Sequence, residues 1–336
     1  MISLPVEVQI DIFKFLSYEE LYPIKLTNLY FRDFINNFEG DVPREKFYKI
    51  SIGDIDRFKR DPRKLIRPNS EHFYIPLSEQ LEEKLNNELE TPIPLYLPDQ
   101  NLDNKNIVIC LSKKVYGIES QHLLQLPIFI KNKNEIKTVY YYLNKLFNCF
   151  FEYSCFGKFI LNTQLINLLF GNAKHFYIQT CNLSITDNNI RNLFKFSLKR
   201  LVSELLIINF FICEADIEEY KDILLKIITS GGDNIEHIYL SFSILEGMNH
   251  DINVSLLFDR IVEYVATSRD CSKIVPTISL NYSTSSHLKL SVSSENVEIK
   301  RISDATYHLA NIYNPEVKFL FCSEEWRGRW TVRIMK

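Results

Sequence analysis

The chain has 336 residues, 46% of them hydrophobic, a composition that excludes a disordered polymer and leaves room for about two folded domains. A formal net charge of -3 and a pI near 6.2 exclude whole-molecule attraction to nucleic acid or to an anionic membrane. There is no apolar run of the roughly eighteen residues that a membrane span needs, and residues 1–5 lack the basic region and apolar core of a secretory leader. The expectation is a soluble intracellular protein, cytoplasmic or nuclear, with neither a nucleic-acid nor a membrane partner.

Residues 4–38 read as short helices. Leu4, Val8, Ile12 and Leu16 recur at helical spacing, and Phe13 and Phe15 widen the apolar face. Pro5 suits a first helical turn, and Ser17 is placed to cap a second helix. Tyr30, Phe31, Phe34, Ile35 and Phe38 set apolar groups on one side of a third. So short a segment cannot bury all of that surface by itself.

Residues 41–105 form a connecting region, cut into pieces by seven prolines between Pro43 and Pro98. One piece is helical, with Leu81, Leu85 and Leu89 in a stripe among Glu82, Glu83, Lys84 and Glu88. Six basic residues between Arg57 and Arg67 read as a solvated linker, because no aromatic platform interleaves them.

From about Asn106 onward, β-rich runs alternate with amphipathic helices. Phe176-x-Ile178-x-x-Cys181-x-Leu183, Leu205-x-Ile207-x-x-Phe210-x-Ile212 and Ile238-x-Leu240-x-x-Ser243-x-Leu245 align without gaps. Each precedes a helix: Ile190, Leu193, Phe194, Ser197, Leu198 and Leu201 line the first, and Ile217, Tyr220, Leu224, Ile227 and Ile228 the second. Val254, Leu257, Phe258, Ile261, Val262 and Val265 line the third. A fourth strand is expected at 278–281, weaker ones at 107–111 and 159–161, and a last one at 331–334 with Trp326 and Trp330 nearby. Steps of 29, 33 and 40 residues separate Phe176, Leu205, Ile238 and Ile278, so the repetition is irregular.

These units resemble leucine-rich repeats. Each has one apolar face it cannot cover alone, so stacking would build a solenoid with a parallel sheet on its concave side. Alternation along the strands then lets the intervening residues project from that side. They are His175, Tyr177 and Gln179, then Glu204, Leu206 and Ile208, then His237, Tyr239 and Ser241, then Thr277, Ser279 and Asn281. Two tyrosines beside Leu206 and Ile208 are what a protein-binding surface would carry. Covering loops or the C-terminal segment are the alternative use of such a face.

Leu4-Pro5-Val6-Glu7, followed by Ile12-Phe13, Leu16, Leu21, Leu26, Asn28, Phe31 and Ile35, resembles the F-box. The chain as a whole is similar to the expanded F-box families of nematodes, in which a short F-box precedes an irregular repeat region. That resemblance implies an α/β fold divided into an F-box (1–40), a linker with a packed helix (41–105) and a leucine-rich-repeat-like recognition region (106–336). It also implies a substrate-recognition subunit of a Skp-cullin-F-box ubiquitin ligase, with Leu4, Pro5, Glu7, Ile12, Phe13, Leu16, Leu21, Leu26 and Phe31 at adaptor-facing or motif positions. The partners would be a Skp-type adaptor, through it a cullin scaffold, and a protein target held by the projecting residues. Two positions depart from the family pattern: Pro23 lies where the second helix should run, and Phe31 stands where many F-boxes have Trp.

No cofactor, metal site or intrinsic enzyme is expected. Seven cysteines without a C-x-x-C pair read as reduced, mostly buried thiols, and seven histidines show no metal-ligand spacing. Phosphate-binding glycine loops and a nucleophile elbow are missing, and Gly231-Gly232 reads as a helix stop. Serines and threonines at 283–294 read as a polar segment between repeats. The competing readings are a leucine-rich-repeat scaffold unconnected with ubiquitin, whose N-terminal helices only cap the solenoid, and an enzyme on an α/β scaffold.

Overall fold

The computed structural model describes residues 3–38, 40–59, 63–68, 91–98, 106–171, 174–185, 190–212, 217–244, 254–282, 298–327 and 329–336. The leucine stripe at 81–89 and the serine-rich stretch at 283–294 lie outside the described residues. The chain divides into two units. One comprises Met1–Ile93, Asn106–Glu152 and Lys174–Tyr177; the other comprises Pro94–Lys105, Tyr153–Ala173 and Ile178–Lys336.

The first unit opens with the three expected helices, α1 (Val6–Lys14), α2 (Tyr18–Thr27) and α3 (Leu29–Asn37). Pro5 occupies the N-cap position of α1, where its missing N–H costs nothing. Ser17 caps α2 in a reciprocal box: its hydroxyl accepts from the Glu20 N–H at 3.2 Å, and Glu20 Oε2 accepts from the Ser17 N–H at 2.7 Å. Asn28 caps α3 by accepting from the Phe31 N–H at 3.0 Å. Pro23 sits inside α2, and the helix continues through it to Thr27.

After these helices the chain forms β1 (Glu45–Asp54) and β2 (Arg63–Ile66), then the short strands β3 (Ile93–Pro94) and β4 (Tyr96–Pro98). The first unit continues with β5 (Ile107–Val115), β6 (Ile118–Leu124) and α4 (Lys133–Phe147). β1 pairs antiparallel with β5, β5 with β6 through a Tyr116-Gly117 turn of positive φ, and β6 runs parallel to β2. Four segments of the expected connecting region, β1 to β4, are therefore strands. β1 is buried along Ile50, Ser51, Ile52 and Gly53, and Arg63 and Lys64 of the basic run belong to β2, where both side chains are solvated as expected, rather than to a linker.

β7 (Phe129–Ile130) still belongs to the first unit, and the division falls within β8 (Cys149–Phe156) and within β10 (Phe176–Ile185). From β8 onward strands and helices alternate as the apolar periodicity implies: β9 (Phe159–Leu161), α5 (Thr163–Phe170), β10 and α6 (Ile190–Arg200). Next are β11 (Leu201–Ile212), α7 (Ile217–Ser230), β12 (Ile235–Ile244), α8 (Val254–Thr267) and β13 (Thr277–Tyr282). β11, β12 and β13 are parallel, joined by α7 and α8, and α5 through α8 pack in succession. The six stripe residues of α8 are all buried. Gly231 and Gly232 do more than stop α7. A Cβ on Gly232 would lie 2.7 Å from the Lys273 carbonyl oxygen, and the Gly232 N–H donates to that same oxygen at 2.8 Å.

The sheet then changes direction. β17 (Arg329–Met335) pairs antiparallel with β13, and β16 (Lys318–Trp326), β15 (Thr306–Ala310) and β14 (Ile299–Ser303) follow in an antiparallel meander. The expected last strand at 331–334 is thus the body of β17. The result is a mixed α/β protein whose sheet is parallel only in part.

Candidate protein-binding surfaces

The α1–α3 module seals a core of its own from Phe13, Leu21, Phe34, Ile35 and Val42, with Ile10, Leu16, Ile24, Phe31 and Phe38 packed at its margin. Phe13 meets Phe31 edge-on, with centroids 6.0 Å apart at 83°, and Phe34 at 5.6 Å. A buried polar link adds specificity. Gln9 donates through Nε2 to the Leu4 carbonyl at 2.7 Å and accepts from the Tyr30 hydroxyl at 2.7 Å, tying the Leu4-Pro5 turn to α3.

With that core closed, a second set of apolar side chains faces solvent. Phe15 is 91% exposed, Leu26 68% and Leu29 64%, and Leu4, Val6, Val8, Tyr22 and Tyr30 are exposed as well. Tyr18, Tyr22 and Leu26 follow one another at four-residue intervals down α2, the first two rings 6.1 Å apart. Exposed apolar sets of this kind are what protein-interaction surfaces carry.

Of the residues expected at adaptor-facing or motif positions, Leu4, Pro5, Glu7 and Leu26 are exposed, and Ile12, Leu16 and Phe31 are half-buried. Phe13 and Leu21 are a correction. They lie inside the module, because the inward face of α1 is Gln9 and Phe13 rather than the Leu4-Val8-Ile12 stripe. Val6, Phe15, Tyr22 and Leu29 join the exposed set; Phe15, expected to widen the apolar face of the first helix, is the C-cap residue that follows α1. Beside this module an open cleft of about 510 Å³ is lined by residues that include Lys14, Leu16, Tyr18, Arg44 and Phe150.

The second candidate surface is the side of the β11–β13 and β15–β17 sheet opposite the helices. Directly paired residues share a side, so the register defines rows across the strands. One row runs Leu205, His237, Thr277, Met335, Leu320. The next runs Ile207, Tyr239, Ser279, Arg333, Cys322, and the third Asn209, Ser241, Asn281, Thr331, Glu324. Cross-strand bonds fix these side chains: His237 Nε2 lies 2.9 Å from Ser279 Oγ, and Asn281 Nδ2 donates to Thr331 Oγ1 at 3.0 Å. Burial, and after it the nearby Arg333, pulls the His237 imidazole below its ordinary value. Burial also pushes the Tyr239 hydroxyl up, and Arg329 and Arg333 oppose that push.

Register corrects β11 by one residue. Leu206 and Ile208, expected to project, are 0% exposed and pair with the buried Ile238 and Leu240; Leu205 and Ile207 stand on the open side instead. His237 and Tyr239 are half-buried in the expected rows, while Ser241 is in its row but buried. Gln179 is exposed and donates to Glu204 Oε2 at 3.1 Å. His175 and Tyr177 belong to the first unit, where the Arg44 guanidinium stacks on the Tyr177 ring at 3.6 Å.

Among the described residues no group of three or more His, Cys, Asp or Glu is placed to hold a metal ion, and no helix is long and apolar enough to cross a membrane. The described cysteines are free. Burial pushes the Cys110 thiol up to about 11 and the Cys181 thiol to about 12, so both are protonated and inert as nucleophiles.

A family model described as a domain of unknown function, DUF8381, matches residues 66–211. No curated protein and no solved structure matches the chain. The DUF8381 match begins at the last residue of β2 and ends within β11, so α1–α3 and β12–β17 fall outside it.

Proposed function

We propose that this chain is the substrate-recognition subunit of a Skp-cullin-F-box ubiquitin ligase. In this reading α1–α3 are the F-box that docks a Skp-type adaptor, and the strand-helix region is an irregular leucine-rich-repeat-like solenoid that holds a protein target. One observation carries the proposal: the three helices complete their own core and still leave Leu4, Phe15, Leu26 and Leu29 exposed, next to a Leu-Pro-x-Glu motif.

Covering each large apolar side chain is worth about 1.5–3 kcal/mol, so a few such anchors support a stable contact. The mechanism is positional. One surface binds the adaptor, the other holds the target, and tethering raises the target's effective concentration at the ubiquitin donor carried by the partners. The bond chemistry belongs to those partners, and the chain supplies geometry.

The test is binding of the full chain to a purified Skp-type adaptor. Replacing Leu4 and Leu26 together with Ser is expected to weaken binding by a hundredfold or more, since two central anchors are each worth about 2 kcal/mol. Thermal stability should hardly change, because both side chains are exposed in the free protein. Adaptor affinity that is absent in the parent chain, or unaltered in the double variant, refutes the proposal and leaves a repeat scaffold unconnected with ubiquitin.

A further inference from the structure

Charge on the open side of the second unit's sheet is unevenly placed. By register Lys318, Arg329 and Arg333 all lie on that side of β16 and β17, together with the single carboxylate Glu324. Glu324 Oε2 stands 3.6 Å from Arg333, both side chains remaining about half exposed or more. No salt bridge involving Arg329 is present among the described residues, and its side chain is exposed. Two strands away in the Arg333 row is Tyr239, flanked by the aliphatic Ile207. The surface therefore combines a half-buried aromatic and aliphatic floor with guanidinium groups that lack full compensation.

We infer that this side of β11–β13 and β16–β17 takes an extended, carboxylate-rich segment of the protein target, with Arg329 and Arg333 gripping the acids and Tyr239 and Ile207 forming the seat. The inference rests on the reading of this sheet as the target-holding part of the chain. Complementary charge is the argument for the occupant. Arg333 shares the Tyr239 row, and Arg329 lies four residues back along the same side of β17. Spacing argues for several single charges rather than one phosphate. Arg329 and Arg333 are four residues apart on one strand, about 13 Å between backbone positions, and Lys318 lies farther along the surface. A strand-like peptide with acids at alternate positions matches such a distribution, because its side chains on one side recur about every 7 Å.

Fluorescence anisotropy with the full chain, and no adaptor present, tests this. The probes are three labelled peptides: glutamate alternating with threonine, glutamine alternating with threonine, and a threonine peptide carrying one phosphoserine. The glutamate peptide is expected to bind at least about tenfold tighter than the glutamine peptide and to weaken as salt is raised. Arg329→Gln with Arg333→Gln should cost about tenfold, and Tyr239→Phe a smaller factor of about threefold. Lys195→Glu, on the exposed side of α6, should leave affinity unchanged. Equal binding of the glutamate and glutamine peptides, or an equal loss from Lys195→Glu, overturns the site. Tighter binding of the phosphoserine peptide than of the glutamate peptide overturns the carboxylate assignment. A chain that fails to bind adaptor still gives a full answer here, so failure of the ligase reading and failure of this inference are separable.

Discussion

The α1–α3 module and the layer of α8 on β12 and β13 are both built from amphipathic helices, yet they dispose of their apolar side chains in opposite ways. Val254, Leu257, Phe258, Ile261, Val262 and Val265 of α8 are all buried, and the remaining positions of that helix include Asp259, Arg260 and Glu263. In α1 and α2 the inner positions are filled by Gln9, Phe13 and Leu21, while the outer ones still carry Val8 and Leu26, with Phe15 exposed at the C-cap of α1. A helix that is apolar on both sides of a closed core has more hydrophobic surface than its own fold uses. The difference separates a layer whose apolar stripe is wholly used by the fold from a module whose outer apolar residues its own core leaves uncovered.

The sharpest way to break this contrast is to compare two phenylalanines two residues apart. Phe13→Ala should destabilise the α1–α3 module by about 3–5 kcal/mol, seen as lost amide hydrogen-exchange protection in those helices, whereas Phe15→Ala should stay within about 0.5 kcal/mol. Equal costs would mean that Phe15 supports the fold and that the exposed set is no docking surface. Gly232→Ala probes the other region. A methyl group there meets the backbone of residues 273 and 274, and about 1–3 kcal/mol of strain should appear as a lower thermal midpoint, with α1–α3 protection unaltered. The smallest effect concerns Glu20. Its hydrogen bonds to Ser17 hold the carboxyl below the ordinary value of 4.5, so the ionised group favours the folded state above that pH. This contribution is lost as pH falls through the depressed folded value. Glu20→Gln should therefore flatten the acid limb of helix stability in a pH titration followed by circular dichroism.

Much of the architecture is legible in the sequence because long periodic segments decide their own structure. The stripes of α7 and α8, the caps at Pro5 and Ser17, and the strands at β10, β12, β13 and β17 stand where pattern places them. Leu205-Leu206-Ile207-Ile208 shows the limit. Four consecutive apolar residues have no period of two, so a frame set by alignment falls one residue out; pairing with β12 determines it. β1 is hidden for a related reason, since its buried positions shift from Phe47 to the run 50–53 and break the alternation. On α1 the inward face includes Gln9, a polar residue whose burial depends on Tyr30, twenty-one residues away. Local pattern carries no information about such a partner. For the candidate surfaces, sequence supplies the motif and most of the rows, while the division of α1–α3 into inner and outer residues needs the three-dimensional packing.

The antiparallel pairing of β17 with β13 has a consequence for how such a chain can vary. A stack of strand-helix units grows by adding a parallel strand at its end, but the free hydrogen-bonding side of β13 is already taken by β17 from Thr277 to Tyr282. Adding a strand-helix unit there would require prising off the whole closing meander, so β13 offers no free edge for the stack to grow from.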